Sequence, residues 1–406
     1  MIGAGRRTGI LAILAISQVL SWGALYYAFS ILAPEIQREM GWRAEVVYGA
    51  FSLSLLVAGL CATPAGILLD RCGGRFVMAA GSLTCGAGFL GLGRSDSLTT
   101  YFIATSVLGI GMALVLYEAA FATINREFGT ASRSGISTLT LFGGLASTVF
   151  WPVTLSLNAH LGWRNTYLAY GMVQLVICMP LHLLLPGTLK ARPARPVPSA
   201  SSERATDFTL HQALNDATFW KLAFAFSANS FTFSALSVHL IPLLGSMGHT
   251  AATAVTLGAL IGPMQVIGRI GEMTVARRAQ PQAVGLFAFA MLPAALLALA
   301  CFGMHVPAVG VFCIFYGLGN GILTIVRGTV PQALYGRENY GAISGAMAGP
   351  ALAAKAAGPL LIAGLVQTTP SAAPVLWMLL LFSIGSLGFY VSAVRKATTS
   401  NTSQPL

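Results

Sequence analysis

The sequence predicts an all-α integral membrane protein with twelve transmembrane helices arranged as two six-helix bundles. Composition is the first observation, because the 406-residue chain is 55% hydrophobic and only 9% charged, whereas a soluble domain carries about 25% charged residues. The second observation is a series of apolar runs long enough to cross a bilayer, and the third is a polar segment that divides the series in half. This composition excludes a soluble enzyme, a disordered scaffold and a secreted disulfide-rich module.

Twelve runs meet the length of about 20 mostly apolar residues that crossing a bilayer requires. The first six runs are 10–34, 45–69, 76–93, 100–125, 135–158 and 164–186. The second six runs are 218–242, 252–271, 282–303, 306–330, 340–366 and 373–394. The first run is longer than the apolar core of a signal peptide, so it is predicted to be a membrane span.

Lysine and arginine are concentrated on one side of the predicted membrane, and this excess marks the cytoplasmic side. With the N-terminus in the cytoplasm, the external loops hold only Arg38, Arg43, Arg94 and Arg164. The cytoplasmic segments hold Arg6, Arg7, Arg71, Arg75, Arg126, Arg133, Lys190, Arg192, Arg195, Arg204, Arg269, Arg277, Arg278, Arg337, Arg395 and Lys396. The net charge of +11 is therefore a topology signal rather than a nucleic-acid-binding surface, and both termini are predicted to be cytoplasmic.

The longest connector separates the sixth and seventh spans and is rich in Pro, Ser and Arg, as solvated linkers are. This connector divides the chain, which is predicted to have four segments. They are an N-terminal six-helix bundle at 1–186, a cytoplasmic linker at 187–217, a C-terminal six-helix bundle at 218–396 and a cytoplasmic tail at 397–406.

The two halves also resemble each other. Gly59 and Pro64 in the second span parallel Gly258 and Pro263 in the eighth. Gly109-Ile-Gly in the fourth span likewise parallels Gly317-Leu-Gly in the tenth. Parallel duplication of a helical bundle, with a solute site near the membrane midplane, is a transporter architecture.

The loop between the second and third spans reads Gly66-Ile-Leu-Leu-Asp70-Arg71-Cys-Gly73-Gly-Arg75. It resembles the loop signature G-x-x-x-D-R-x-G-x-[RK] of the major facilitator superfamily, and it lies at the same place in the chain. The resemblance implies a conformational latch formed by these five matching residues. Because the helix dipole disfavours a carboxylate in the last turn of a helix, we expect a cationic partner for Asp70, such as Arg71 or Arg75.

The drug-exporting members of this superfamily are matched less well. The position four residues before Gly109 is Thr105, where those exporters often have arginine, and the fifth span lacks their G-x-x-x-G-P motif. Gly345-Ala-Met-Ala-Gly349-Pro350 does match that motif, but it lies in the eleventh span. These departures weaken the hypothesis that the chain is a drug antiporter, but they do not exclude it.

Ionisable residues inside a membrane span are costly and are candidates for function. Glu118 in the fourth span is the candidate proton-coupling residue, with a structural ion pair as the alternative. Arg327 in the tenth span and Lys355 in the eleventh are candidate ligands for an anionic group. The alternatives are a topology charge for Arg327 and a structural pair for Lys355.

Polar and aromatic residues complete the predicted solute site. The resemblance implies that the first, fourth, seventh and tenth helices line a cavity. Gln18, Trp22 and Tyr26 share one face of the first span, and the seventh span contributes Asn229. Gln18 and Asn229 are the stronger candidates because buried amides need partners, whereas the aromatic residues can equally serve packing.

Because Arg327 and Lys355 outweigh Glu118 in charge, the candidate site resembles the monocarboxylate and organic-anion branch of the superfamily. The sequence therefore predicts a proton-coupled secondary active transporter in the cell (inner) membrane that moves a small anionic or zwitterionic organic solute by alternating access. Its partners are the solute, protons and the lipid bilayer, with no nucleic acid and no obligate protein partner. No enzymatic motif, cofactor site or metal site is found. The six cysteines include no CxxC pair. The alternatives are efflux of a drug, toxic metabolite or arsenical, and uptake of an aromatic nutrient such as a vitamin.

Overall fold

A computed structural model of the chain describes residues 4–187, 207–368 and 372–402, and no β-strand occurs in these ranges. The helices before the linker are α1 (Ala4–Trp22), α2 (Ala28–Met40), α3 (Ala44–Cys72), α4 (Gly74–Gly93), α5 (Leu98–Val115), α6 (Tyr117–Phe128), α7 (Ser132–Gly143), α8 (Ala146–Val173) and α9 (Met179–Leu183). Those after it are α10 (Leu210–Asn215), α11 (Ala217–Ser246), α12 (Ala251–Gly258), α13 (Ile261–Thr274), α14 (Pro281–Phe302), α15 (Val306–Tyr335), α16 (Tyr340–Thr368) and α17 (Ala373–Thr402). Short π-helical turns at Gly23–Tyr27 and Gln174–Cys178 join α1 to α2 and α8 to α9.

Ten helical stretches in the described ranges are long and apolar enough to cross a membrane. One of them, Leu98–Leu183, has 86 residues, several times the length that one crossing needs. Gly129 (φ 57°) and Gly162 (φ 74°) interrupt this stretch, since such backbone conformations are readily adopted by glycine and lie outside the helical region. The interruptions divide the stretch into three, which gives the twelve predicted spans in the described part of the chain.

The chain forms two compact units. The first comprises Met1–Leu210 and Tyr335–Gly349, and the second comprises His211–Leu334 and Pro350–Leu406. The central part of the predicted linker, residues 188–206, lies outside the described residues.

Each unit has its own buried core. In the first, α4 packs against α5 and α8, with Phe89 stacked on Tyr167 at a ring-centroid distance of 5.8 Å. In the second, α17 packs against α11 and α14, and Leu236, Phe312 and Leu379 are completely buried. Burial of these apolar side chains within each unit stabilises its helices against one another.

The repeated glycines occupy equivalent packing positions in the two halves. A Cβ on Gly109 of α5 would collide with the Ser54 carbonyl oxygen of α3. A Cβ on Gly317 of α15 would lie 2.7 Å from the Ile261 carbonyl oxygen of α13. Because small residues let membrane helices approach closely, the second span packs on the fourth as the eighth packs on the tenth.

Candidate functional site

The fourth span is a broken helix rather than the continuous helix predicted over 100–125. Helix α5 ends at Val115, Leu116 has extended backbone angles (φ −79°, ψ −166°), and α6 begins at Tyr117. The side-chain amide nitrogen of Gln18 donates a hydrogen bond to the Val115 carbonyl oxygen over 2.6 Å. Gln18 thereby satisfies a backbone acceptor at the break, where the regular helical pattern is interrupted.

Glu118 lies in the first turn of α6, directly after the break. A carboxylate is stabilised at this position because the N-terminus of a helix carries a partial positive charge. The side chain is half-buried, and the Ser344 hydroxyl of α16 donates a hydrogen bond to Glu118 Oε2 over 3.2 Å. The candidate proton-coupling residue is therefore held between a helix N-terminus and a hydroxyl group.

The predicted face of the first span contains one fully buried amide and two aromatic rings. Gln18 has no exposed surface. The Trp22 ring contacts those of Tyr26 and Tyr117, with centroid distances of 5.6 and 4.9 Å, and Tyr26 also contacts Phe51 at 5.5 Å. Since these rings pack against one another, the aromatic part of the face has a packing role of its own.

The latch residue Asp70 has different partners from those expected. Its carboxylate oxygens accept hydrogen bonds from the backbone N–H groups of Gly341 (2.9 Å) and Ala342 (2.7 Å), at the N-terminus of α16. Arg126 donates to the Asp70 carbonyl oxygen and also acts on the carboxylate electrostatically. The positive end of a second helix thus compensates for the unfavourable dipole of α3.

The other latch residues have packing and turn roles. A Cβ on Gly66 would collide with the Gly341 carbonyl oxygen, so glycine allows α3 and α16 to meet. Gly73 adopts φ 76°, a conformation that favours glycine at this turn. Arg71 is exposed and Arg75 is half-buried, with its guanidinium 5.3 Å from the Phe76 ring centroid.

The second unit holds the remaining candidate residues for the solute. Arg327 on α15 and Lys355 on α16 are half-buried, as is Asn229 on α11. Arg327 and Lys355 therefore bring two positive charges into the helices of this unit, where charged groups are costly.

A further cation of the second unit is buried rather than solvated. Arg269 was counted among the cytoplasmic charges, but it is only 5% exposed within α13. Its Nε and Nη1 atoms are buried and have no hydrogen-bond partner in the described residues. Glu272, one helical turn further along, is 3% exposed. The sequence did contain one indication of this burial, because Arg269 falls inside the predicted span 252–271.

The arrangement defines a class of protein. Apolar spans form two compact units, and costly polar groups are retained inside them, as in membrane transporters. A family model described as Major Facilitator Superfamily matches residues 14–359. The chain belongs to the Major Facilitator Superfamily, and it is a transporter rather than an enzyme.

Relatives and a solved structure agree with this assignment. The chain is 27% identical over 343 residues to monocarboxylate transporter 4 of Mus musculus, over 78% of this chain and 68% of that protein. It is 26% identical over 266 residues to the oxalate:formate antiporter of Oxalobacter formigenes, over 63% and 62% of the two chains. The crystal structure of the human organic anion transporter MFSD10 matches the fold with a TM-score of 0.73 at 17% identity, covering 95% of this chain and 99% of that one.

Proposed function

We propose that the protein is a secondary active transporter of small organic anions, carboxylates in particular, that works by alternating access. The single observation that carries this proposal is the buried Arg269 guanidinium with two nitrogen atoms that have no hydrogen-bond partner in the described residues. Two of the relatives, a monocarboxylate transporter and an oxalate:formate antiporter, support the same chemical class.

A buried guanidinium is costly unless an anion compensates for it. Removing a charge from water costs several kcal/mol even after structural relaxation, and arginine stays protonated at any physiological pH. The guanidinium presents a planar set of donors that matches the two oxygens of a carboxylate. An anionic solute that binds and leaves supplies acceptor oxygens to the two unpartnered nitrogen atoms during part of the transport cycle.

Lys355 and Arg327 strengthen this proposal because they add positive charge to the same unit as Arg269. A solute with one carboxylate, or with two close together, suits such a set of cations. A hydrophobic cation would be repelled by it, which disfavours efflux of cationic drugs. We therefore place the carboxylate-binding groups of the transporter among Arg269, Arg327 and Lys355.

The test is uptake of radiolabelled acetate, propionate and lactate into proteoliposomes. Arg269→Gln removes the guanidinium, and we expect it to lower kcat/KM for each transported acid about a hundredfold. Arg269→Lys keeps the charge but lacks the planar set of donors, so we expect intermediate uptake. Arg38→Gln is the matched control, since Arg38 has a side chain that is 79% exposed and should keep normal uptake.

Two results would contradict the proposal. One is wild-type protein that moves none of the three acids under any imposed gradient. The other is Arg269→Gln protein that moves them as well as the wild type does. Stabilisation of the purified wild type by hydrophobic cations and not by carboxylates would instead support efflux.

We further propose that transport is coupled to protons through Glu118, with solute and proton moving together as in symport. The carboxyl group sits in the first turn of a half-helix and accepts a hydrogen bond from Ser344. A proton on this carboxyl group would neutralise its charge and weaken its attraction to the N-terminus of α6. Protonation would thereby shift the balance between conformations of the fourth span.

The proposed location is the cell (inner) membrane with both termini in the cytoplasm. The supporting observation is the distribution of Lys and Arg described above, which follows the positive-inside rule.

A further inference from the structure

A cavity lies inside the first compact unit, beside the half of the fourth span that precedes the break. Its lining includes Tyr101, Thr105, Leu108 and Met112 of α5. These residues share one face of the helix, because side chains three or four positions apart lie one above the other. The rest of the lining comes from the first, second, third and sixth predicted spans, so the cavity belongs to the helices of one unit.

One polar group of this lining is unsatisfied. Tyr101 has no exposed surface, and its hydroxyl group is buried without a hydrogen-bond partner in the ranges that the structure describes. A buried donor that lacks a partner costs the free energy of its lost hydration. Phenylalanine would fill nearly the same space without that cost, so the hydroxyl group indicates a partner other than a protein side chain or backbone group.

Two other hydroxyl groups of the lining have already used their protons. Ser54 Oγ donates to the Phe51 carbonyl oxygen over 2.7 Å, and Thr105 Oγ1 donates to the Tyr101 carbonyl oxygen over 2.9 Å. Because a hydroxyl group has one proton and two lone pairs, both can still accept a hydrogen bond. The lining thus offers one hydroxyl donor and two hydroxyl acceptors.

We propose that this cavity is an internal hydration site, in which a water molecule accepts a hydrogen bond from the Tyr101 hydroxyl group and donates to those of Ser54 and Thr105. The cavity gives the centre of a water molecule about 20 Å³, and one bound water needs about 10–15 Å³. Three polar partners match the number that a buried water typically has. Such a water is costly to remove, so it stabilises α5 within the first unit, whichever solute is transported.

Tyr101→Phe tests whether the hydroxyl group has a partner. A hydroxyl group bonded to water loses that bond on substitution, so we expect the Tm of the purified protein in detergent to fall by about 2 °C. In a dry cavity the hydroxyl group is an unsatisfied donor, and its removal would leave the Tm unchanged or raise it. That second result would overturn the proposal.

X-ray radiolysis detects the water itself, because hydroxyl radicals form from bound as well as bulk water and oxidise the side chains beside them. Tyr390 is the matched control, since it is also fully buried but its hydroxyl group donates to the Gln282 carbonyl oxygen over 3.0 Å. We expect mass spectrometry to show Tyr101 oxidised several times faster than Tyr390 in the wild-type protein. Equally slow oxidation of the two tyrosines would contradict a water in the cavity.

The two acceptors are tested by removing both hydroxyl groups. In Ser54→Ala/Thr105→Val protein we expect the water to be lost and the oxidation of Tyr101 to fall to the level of a dry, buried tyrosine. Thr84→Val/Ser106→Ala is the matched control, because Thr84 and Ser106 also donate to backbone carbonyl oxygens of their own helices and do not line this cavity. Fast oxidation of Tyr101 in both double variants would overturn the role of Ser54 and Thr105 as acceptors.

Discussion

At the scale of single residues, polar groups in this protein are retained where the membrane makes them costly, and several of them sit beside irregular backbone. Gln18 binds the carbonyl at the end of α5, and Glu118 follows directly in the first turn of α6. Irregular backbone at membrane depth is tolerated where protein groups or a water-filled cavity satisfy it. The break in the fourth span is therefore a place where binding and conformational change can be linked.

The proton-coupling role of Glu118 is tested by removing its charge. Glu118→Gln keeps the size of the side chain and its capacity to accept from Ser344, but it cannot exchange a proton. We expect carboxylate uptake by this variant to lose its dependence on an imposed pH gradient, while uptake driven by the carboxylate gradient remains. The measurement is initial uptake into proteoliposomes at several pH gradients, with the wild type alongside.

Glu127→Gln is the matched control for that experiment, because Glu127 lies on the same helix and near its other end. It should keep the gradient dependence of the wild type. Unchanged gradient dependence in Glu118→Gln protein would assign Glu118 a structural role and leave the coupling group to be found elsewhere.

The sequence predicts Gln18 and Glu118 as candidate residues because buried amides and carboxylates stand out in an apolar run. It missed the burial of Arg269, because a basic residue near the end of a span has the same appearance whether it faces water or the protein interior. It also misjudged the partners of Asp70. The N–H groups that bind Asp70 belong to Gly341 and Ala342, about 270 residues further on, and backbone groups leave no mark in the sequence.

At the scale of elements, glycine spacing determines how closely α3 and α16 approach. A Cβ on Gly345 would collide with the Ala62 carbonyl oxygen and lie 3.2 Å from the Thr63 Cα. Both neighbours are backbone atoms, which cannot move aside as a flexible side chain can. The motif Gly345–Gly349, found in the sequence as an antiporter-like pattern, therefore acts in this structure as a packing surface for α3.

A pair of glycine substitutions tests this packing surface. Gly345→Ala adds only a methyl group, and we expect it to destabilise the protein by about 1–3 kcal/mol through overpacking, seen as a lower Tm in detergent. Gly271→Ala is the control, because Gly271 lies in α13 and a Cβ there would meet nothing within 4 Å. It should leave the Tm unchanged or raise it, since alanine is the better helix former. Equal Tm values for the two variants would contradict the close approach.

The helix boundaries show which local features can be predicted. Spans that end at glycine, such as α3 at Gly73, were found within a few residues, because glycine is a recognisable helix terminator. The break at Leu116 was not predicted, since Val115, Leu116 and Tyr117 are all compatible with a continuous helix. It is accompanied by the Gln18–Val115 hydrogen bond between residues 97 positions apart, a contact that no local pattern contains.

At the scale of the whole molecule, the fold class was predictable because the bilayer leaves few alternatives. With no water to bind backbone groups, an apolar run of sufficient length must form a helix. The lengths of the apolar runs therefore predict the twelve spans, and the loop at Gly66–Arg75 indicates the superfamily. What the same reasoning cannot give is the substrate, because solute recognition depends on a few buried groups whose surroundings come from distant parts of the chain.

The predicted orientation of the whole molecule can be tested with its own cysteines. Cys72 and Cys301 are exposed. Cys72 follows the second predicted span at the end of α3, and Cys301 lies near the outer end of the ninth predicted span, in the last turn of α14. The positive-inside rule puts Cys72, which neighbours Arg71 and Arg75, in the cytoplasm. We expect a membrane-impermeant maleimide to modify Cys301 in intact cells, and Cys72 only after the cells are permeabilised.

Cys72→Ser and Cys301→Ser variants assign each labelling signal to one residue. Cys85, Cys178 and Cys313 are buried, so they should react slowly in either preparation and add little background. Labelling of Cys72 in intact cells would contradict the predicted orientation. Labelling of Cys301 alone in intact cells identifies the cytoplasmic side. Two predicted spans precede Cys72, so it lies on the same side as the N-terminus. Cys301 lies near the end of the ninth predicted span, so it faces the opposite side.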